Sequence, residues 1–564
     1  MATMRAKKTV TAPRPAARAE VARPRVHALD VPFEMRAVAA AHGAQWQADH
    51  GVFVFRGAVL PPALEPFRAA PYSWERHVER ALNDEPEGAR AASRPAGTLT
   101  PRPHQRDAVR AITAAAAAGR AGFLLADDVG LGKTISAWAS VLAMPSAGAV
   151  LIVCPLAVVA HWRRTIEAMG DGGRDVVLIN YERLGKLFEL TPEARKRVRT
   201  KKGLARAGSA PEYDVVIWDE SHRCKNPAAA RSKLAAKINA RAGFALWLSA
   251  TAGQNPLELS YLAPLLASLT GSRAGELKDF EAWCAQQGLG VTRGAFGRWD
   301  WRGDPKDCEK VRALLFDGKL PAGMRRRPED IAGWPEINRI LTPIELDASA
   351  RERYRQAWTE FRAEMDLCPG GANPRSALTA ALRLRQKSSL IRVQGSAELV
   401  RELLENGHQA AVSVAFRETL EALRSELARD KIESATLHGG LPAGEREAER
   451  LRFQRGSVRV VLFTVEEGIS LHQGEHDDAP RSEVIHDLRW SAIQMAQIEG
   501  RCHRDGRFAQ VYWAYADDTI EERIAAIVCR RIQSMKSMVG DDVETLREIE
   551  RLLADARDSE PARA

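Results

Sequence analysis

The sequence predicts an α/β protein: two tandem parallel-sheet lobes, a mostly helical insertion between them, and a small N-terminal α+β module. Three observations predict it. Short apolar runs at Gly122–Leu125, Val150–Val153, Val176–Ile179, Val215–Trp218 and Ala245–Leu248 alternate with helical patterns. Runs of that kind suit strands buried on both faces, as a parallel sheet requires. The rhythm breaks after residue 269 and returns with Ala411–Val414, Val458–Phe463 and Val511–Tyr515. A chain of 564 residues has room for several units at roughly 100–200 residues each.

Taken in order, residues 1–26 are rich in Ala, Pro and Arg and read as a disordered basic tail. Residues 27–96 form the small module, with Leu29–Phe33 at its start, a helical stretch from Glu34 to His42, and a strand at Val52–Phe55. The first lobe spans 97–269 and the insertion with its inter-lobe linker 270–394. That insertion carries Arg298-Trp299-Asp300-Trp301-Arg302 and Arg325-Arg326-Arg327. Such clusters either grip a nucleic acid or are half-buried rings beside solvated charge. The second lobe spans 395–540, and 541–564 is a charged helix and tail with Asp541 as N-cap.

Bulk properties narrow the classes. Hydrophobic residues make up 45% and charged residues 27%, a globular balance. Lys and Arg outnumber Asp and Glu by 82 to 73, which suits a polyanionic partner as well as an ordinary basic protein. Seven cysteines are dispersed without a C-x-x-C pair, so no zinc site or disulfide framework is expected. That usage fits a reducing, cytoplasmic compartment. Neither a membrane span nor a signal peptide is expected. Ala- and Arg-rich usage suggests a GC-rich bacterial or phage genome, hence a nucleoid-associated protein or one in a host cytoplasm.

Two segments carry chemistry. Gly122 to Thr134 reads as strand, Gly-rich turn and helix start, ending in Gly130-Leu131-Gly132-Lys133-Thr134. Backbone N–H groups of such a turn cradle phosphate oxygens, and glycine lets the backbone approach. Lys133 would reach the β and γ phosphates of ATP and the Thr134 hydroxyl would bind Mg2+. Asp127 stands where the usual pattern has its first Gly. The second segment, Val215 to His222, is an apolar strand ending in Asp219 and Glu220. Asp219 would hold the metal, and Glu220 would orient and deprotonate the attacking water.

These motifs, with others in the same order, resemble the Snf-type ATPases, the chromatin-remodeller-like branch of helicase superfamily II. Leu99 to Gln105 is similar to the family's opening motif, whose Gln reads adenine. Asp127 to Thr134 resembles its D-E-x-G-L-G-K-T, which also lacks the first Gly. Leu151 to Pro155, followed by His161-Trp162, is similar to a motif at the DNA backbone, and Asn180-Tyr181-Glu182 follows. Asp219-Glu220-Ser221-His222 resembles D-E-A-H. Leu248 to Asn255 is similar to the coupling motif, with Ser249-Ala250-Thr251 in place of Thr-Gly-Thr. Arg325–Arg327 and Leu384-Arg385-Gln386 resemble the inter-lobe signatures. In the second lobe Leu437-His438-Gly439-Gly440, Phe463-Thr464 and Gly468 to Leu471 match, although Glu466 and Glu467 replace a usual Gly pair. Gln497-Ile-Glu-Gly-Arg501-Cys-His-Arg504 is similar to Q-x-x-G-R-x-x-R.

The resemblance implies two RecA-like lobes and a DNA-dependent ATPase. It places Gln105, Asp128, Gly130, Leu131, Gly132, Lys133, Thr134 and Gly468 at the nucleotide, with Thr134 and Asp219 at the metal. Lys133, Glu220, Gln497, Arg501 and Arg504 become catalytic, and the two arginines, on one helix face, cross the cleft as fingers. Pro155, His438, Gly439 and Thr464 face nucleic acid, and Ser249 and Thr251 couple the two activities. Residues 27–96 are similar to a small domain with an L-x-V-P-F…G-A-x-W pattern, placed like the accessory domain of HepA-related annealing helicases, and offer a route to a protein partner.

The function this implies is an ATP-dependent translocase on double-stranded or forked DNA, with RNA a lesser partner. One alternative is a strand-separating DNA or RNA helicase, towards which Ser249-Ala250-Thr251 leans. The other is a nucleic-acid-binding scaffold with a regulatory ATPase, against which the intact Lys133, Asp219, Glu220, Arg501 and Arg504 argue.

Overall fold

The computed structural model describes residues 24–83, 99–128, 130–188, 210–250, 252–253, 255–272, 277–294, 299–334, 337–366, 374–464, 469–472, 479–502, 509–534, 548–549 and 552. The expected basic tail lies outside them up to residue 23, and the helix expected from Asp541 lies outside them apart from 548–549 and 552. The chain divides into two compact units, Met1–Gly88 and Ala89–Ala564.

In the first unit β1 (Val26–Leu29), β2 (Gln45–Gln47) and β3 (Val52–Arg56) form an antiparallel sheet in the order β1-β3-β2. The helix Trp74–Leu82 is capped by Ser73, whose hydroxyl accepts from Arg76 N at 3.2 Å. Its buried Glu79 accepts from Ala28 N at 3.0 Å, which ties helix to sheet. The helical stretch expected over Glu34–His42 is a 3-10 turn at Phe33–Met35 followed by a helix at Arg36–Ala41.

The second unit holds two six-stranded sheets. The first takes β4 (Gly122–Leu125), β5 (Ala149–Cys154), β6 (Asp175–Asn180), β7 (Val215–Asp219) and β8 (Phe244–Leu248), the five strands the apolar runs predict. All pair in parallel, in the order β4-β8-β7-β5-β6. Trp138, Trp162, Trp218 and Trp247 are fully buried around it. Three of their indole N–H groups have acceptors: Trp138 bonds Gly170 O at 2.9 Å, Trp162 bonds Asp219 at 2.8 Å, and Trp218 bonds Asn239 at 2.7 Å. A buried indole usually finds such a partner for its polar edge.

The interval 270–394 is not a single insertion. It holds a hairpin of β9 (Val291–Arg293) and β10 (Trp299–Trp301), then β11 (Gly323–Met324), which extends the first sheet beside β4. Next comes β12 (Asn338–Ile344), a strand of the second sheet. Helices Ala348–Asp366 and Pro374–Ile391 follow, and their Trp358, Phe361 and Leu384 lie in the second lobe's core. The second lobe therefore starts well before residue 395, because β12 hydrogen-bonds along its whole length to a strand more than a hundred residues later.

The second sheet adds β13 (Gln409–Ser413), β14 (Ser434–Leu437), β15 (Val460–Phe463), β16 (Arg481–Ile485) and β17 (Gln510–Ala516), in the parallel order β12-β17-β16-β13-β15-β14. β12, β14 and β16 were not among the predicted strands. β16 reads Arg-Ser-Glu-Val-Ile yet is buried throughout. Arg481 stacks its guanidinium 4.4 Å from the centre of the Phe453 ring and donates to Leu471 O at 2.7 Å. Glu483 accepts from Cys502 N at 3.2 Å, and burial pushes its carboxyl up to about 8.

A buried polar cluster joins that sheet to its covering helices. His486 makes hydrogen bonds to Ser396 Oγ at 2.8 Å and Ser389 O at 2.9 Å, while Arg392 pairs with Asp487 at 3.0 Å. Burial holds the His486 imidazole down to about 4, against the opposing pull of Asp487. In the unfolded chain the ring titrates near 6.5. Its contribution is thus complete above 6.5 and is lost as pH falls towards 4, by about 3 kcal/mol in all. Urea unfolding of wild type and His486→Gln across pH 7 to 4 checks this: the variant starts less stable, and its stability falls less steeply below pH 6.5.

Candidate nucleotide-binding site

Both sheets being parallel, all their strands end on one edge, where loops gather. On the first sheet that edge carries the phosphate loop after β4, Pro155 after β5, Asp219 and Glu220 at the end of β7, and Ser249 after β8.

The phosphate loop is shaped by Gly130 at φ +90° and Gly132 at φ +77°, with Lys133 opening the helix Lys133–Leu142. A Cβ on Gly132 would stand 2.3 Å from Gln105 Nε2. Gln105 is buried, accepting from Arg102 N at 2.9 Å and donating to Leu131 O at 3.2 Å. The Gln expected to read adenine is thus turned onto the loop itself. Leu131 is buried, Thr134 half-buried in the helix's first turn. Lys133 Nζ donates to Asp127 O at 2.7 Å and Asp128 O at 3.3 Å. An ammonium held by backbone carbonyls has exchangeable partners, which anionic phosphate can replace.

Asp219 is buried at the tip of β7. One carboxylate oxygen accepts from Trp162 Nε1 at 2.8 Å and the other from Glu220 N at 3.0 Å. Burial, and next the neighbouring Glu220, push this carboxyl up; the Trp162 N–H and Lys133 oppose them. Tyr181 donates its hydroxyl to Asp219 O at 2.8 Å. Glu220 adopts φ +51° and ψ 51°, a left-handed conformation that costs a non-glycine residue about 1 kcal/mol or more. Its Oε2 is buried with no hydrogen-bond partner, His222 Nδ1 lying 3.4 Å away. A strained backbone and a buried carboxylate oxygen without a hydrogen bond both cost free energy that packing alone does not recover. His222 Nδ1 also lies 3.0 Å from Ser249 Oγ, which links the D-E-S-H turn to the coupling motif. Thr251, the other residue expected to couple the two activities, is outside the described residues, as are Gly468, Glu466, Glu467 and Arg504.

On the second sheet His438 is buried after β14 and accepts from Gly440 N at 3.2 Å. Gly439 is exposed beside it, and Thr464 donates its N–H to Leu437 O at 3.0 Å. Gln497 is buried on the helix Ala492–Glu499. That helix stops at Gly500, so Arg501 lies in the following turn and not on the helical face the sequence predicts. Arg501 is buried and donates to Ile469 O at 3.2 Å, within its own lobe. The two lobes meet in an ion pair of Arg164 with Glu447.

Two contributors escaped sequence reading. Trp162 falls in the motif similar to one at the DNA backbone, and its indole donates to Asp219; the signal is its place one turn into the helix after β5, the strand beside β7. Arg326 was read with a basic run. It forms a two-pronged ion pair with Asp127, which has no exposed surface, and also donates to His104 O. Arg325 Nη2 lies 3.8 Å from Asp128. In the hairpin, the Arg293 guanidinium lies 5.2 Å from the Trp299 ring and Trp301 donates to Asp307 at 3.3 Å, so both rings have intramolecular partners.

Comparison with known proteins agrees with this layout. The SNF2-related domain family matches residues 104–173, and the helicase conserved C-terminal domain family matches residues 395–506. The DNA annealing helicase and endonuclease ZRANB3 of Mus musculus is 23% identical over 444 residues, covering 76% of this chain and 40% of its own length. The chain thus spans about two fifths of that relative. An uncharacterized ATP-dependent helicase, YqhH of Bacillus subtilis (strain 168), is 22% identical over 481 residues, 79% of this chain and 81% of its own. The Sulfolobus solfataricus SWI2/SNF2 ATPase core in complex with dsDNA is 18% identical, covering 83% of this chain and 98% of that one, with a TM-score of 0.32. The first of the two parallel-sheet lobes is thus similar to the SNF2-related domain family and the second to the helicase conserved C-terminal domain family, in that order along the chain.

Proposed function

We propose that this protein hydrolyses ATP when bound to DNA and uses the cycle to move along the duplex. The observation that carries the hydrolytic part is Glu220: strained, with a buried unsatisfied oxygen, next to Asp219 and on the same sheet edge as Lys133. Lys133 exchanges its carbonyl partners for phosphate oxygens. Glu220 takes the proton of the attacking water at Oε2, the oxygen that makes no hydrogen bond. Arg501 and Arg504 supply positive charge from the second lobe once the lobes close.

Among the described residues no group of three or more His, Cys, Asp or Glu side chains forms a metal cage. Magnesium needs none, since it takes one or two carboxylates with phosphate oxygens and water. Asp219, held by an indole donor and not by a cation, fits that role with the Thr134 hydroxyl. Bound there, the ion would neutralise charge on the phosphates.

Duplex or forked DNA as the track rests on the family's inter-lobe signatures and on a relative whose name is that of a DNA annealing helicase. Pro155, His438, Gly439 and Thr464, at strand ends of the two sheets, are the proposed DNA contacts, and Ser249 with Thr251 the coupling residues. A cytoplasmic site of action fits the cysteine usage and the absence, among the described residues, of a helix long and apolar enough to cross a membrane. Strand separation is a second reading, favoured by Ser249-Ala250-Thr251.

Three expected outcomes follow from these roles. Lys133→Ala loses both nucleotide binding and hydrolysis, whereas Glu220→Gln binds ATP but hydrolyses it about a hundredfold more slowly or less; filter binding with single-turnover kinetics separates them. Trp162→Phe removes the donor on Asp219, so the magnesium concentration for half-maximal turnover rises and the rate falls about tenfold. Displacement of a third strand from a triplex, without unwinding of a plain forked duplex, marks a translocase. Unwinding without triplex displacement would overturn that reading in favour of strand separation.

A further inference from the structure

The stretch after β11 leaves the first lobe beside the phosphate loop and enters the second lobe beside the arginine turn. It is fastened at both ends. At the near end its backbone continues β4 outward: Leu124, Ala126 and Asp128 donate to Ala322, Met324 and Arg326 carbonyls at 2.9, 2.7 and 2.9 Å. Arg326 closes its fork on buried Asp127, the residue that replaces the usual first Gly of the loop. Trp334 then lies with its ring 5.5 Å from His104, edge to face, and 5.8 Å from the Arg102 guanidinium. His104 in turn makes a hydrogen bond to Leu131 O of the phosphate loop, at 3.1 Å.

At the far end β12 pairs with β17 from Asn338 to Ile344. Arg339 closes a second fork there, Nε to Glu499 Oε1 at 2.8 Å and Nη2 to Glu499 Oε2 at 3.0 Å. Glu499 has no exposed side-chain surface, also accepts from Trp513 Nε1 at 2.9 Å, and is the last residue of the helix that leads into Arg501. Only Pro335, Glu336 and Ile337 separate Trp334 from β12.

We propose that the segments 322–334 and 337–339 tie together the two halves of the nucleotide site, and that Arg326 and Arg339 are positioning residues that anchor them. Asp127 and Asp128 are gripped from both sides: Lys133 holds their carbonyls and Arg326 holds the Asp127 carboxylate. When Lys133 turns to phosphate, those carbonyls are released, and the backbone that carries Asp127 is free to shift. A planar two-pronged pair transmits direction as well as attraction, so the shift passes along the connector to Glu499 and moves the turn bearing Arg501. The coupling thus runs through the chain itself, in addition to anything that crosses the cleft. This deepens the proposed ATPase reading and rests on it for the identity of the nucleotide.

The test is hydrogen–deuterium exchange in the full chain with and without ATPγS and magnesium. It compares wild type, Arg326→Gln, Arg339→Gln, and a variant with three glycines inserted between Trp334 and Pro335. The insertion leaves both forks and both lobes intact and only slackens the tie. In wild type, nucleotide should alter exchange in peptides covering β12 and 492–502. In all three variants that response should vanish, while protection of the phosphate loop persists. Where a Gln variant fails to fold, Arg326→Lys or Arg339→Lys keeps the charge and loses the fork. An unchanged response in the insertion variant, or no response there in wild type, overturns the tie. A second measurement is the ratio of duplex-stimulated to DNA-free hydrolysis. It should fall about tenfold in either Gln variant and no further in the double variant, as for two anchors of one device. Wild-type hydrolysis indifferent to DNA would refute the functional reading while leaving the exchange result to decide the tie.

Discussion

Asp127 has no exposed surface where β4 gives way to the phosphate loop, and a buried carboxylate must be neutralised by something close. Arg326 does so, and the consequences spread. The guanidinium brings its own backbone alongside β4, which makes β11 the edge of the first sheet. That edge fixes where the chain leaves for the second lobe. The usual glycine at this position could not have anchored anything. An acidic residue exchanges a little of the loop's freedom for a fixed connection to the rest of the molecule.

The opposite side of the site follows a related logic. Asp219 is buried too, but its closest side-chain partner is the Trp162 indole, a neutral donor. A neutral partner holds the carboxylate in place without cancelling its charge, so its attraction for a cation survives. Glu220 next to it is held in a left-handed backbone conformation with an oxygen left unsatisfied. Three acids within one sheet edge therefore have three environments. Asp127 is paired with Arg326, Asp219 is oriented by neutral donors, and Glu220 is strained with one oxygen left without a hydrogen bond.

Legibility in the sequence followed burial. Five of the six strands of the first sheet were readable because each is a short apolar run, and the Asp219-Glu220 pair because it ends such a run. β16 was not, since Arg481 and Glu483 sit inside it; both are buried, one bonded to Leu471 O and the other to Cys502 N. β12 was missed because its residues alternate only loosely and its register is set by β17. Arg326 looked like one member of a solvated run, and nothing local distinguishes it from Arg325 or Arg327. Its partner lies 199 positions earlier. The helix expected to carry Arg501 ends at Gly500, a break whose position is set by tertiary packing around Glu499.

The most direct measurement of the central claim is the steady-state rate of ATP hydrolysis by the intact chain without nucleic acid and with single-stranded DNA, duplex DNA, forked DNA and RNA, at one stated salt concentration. Duplex or forked DNA should raise the rate most, with RNA having little effect. A rate that responds to RNA or single strands but not to duplex, or that responds to none of them, would contradict it.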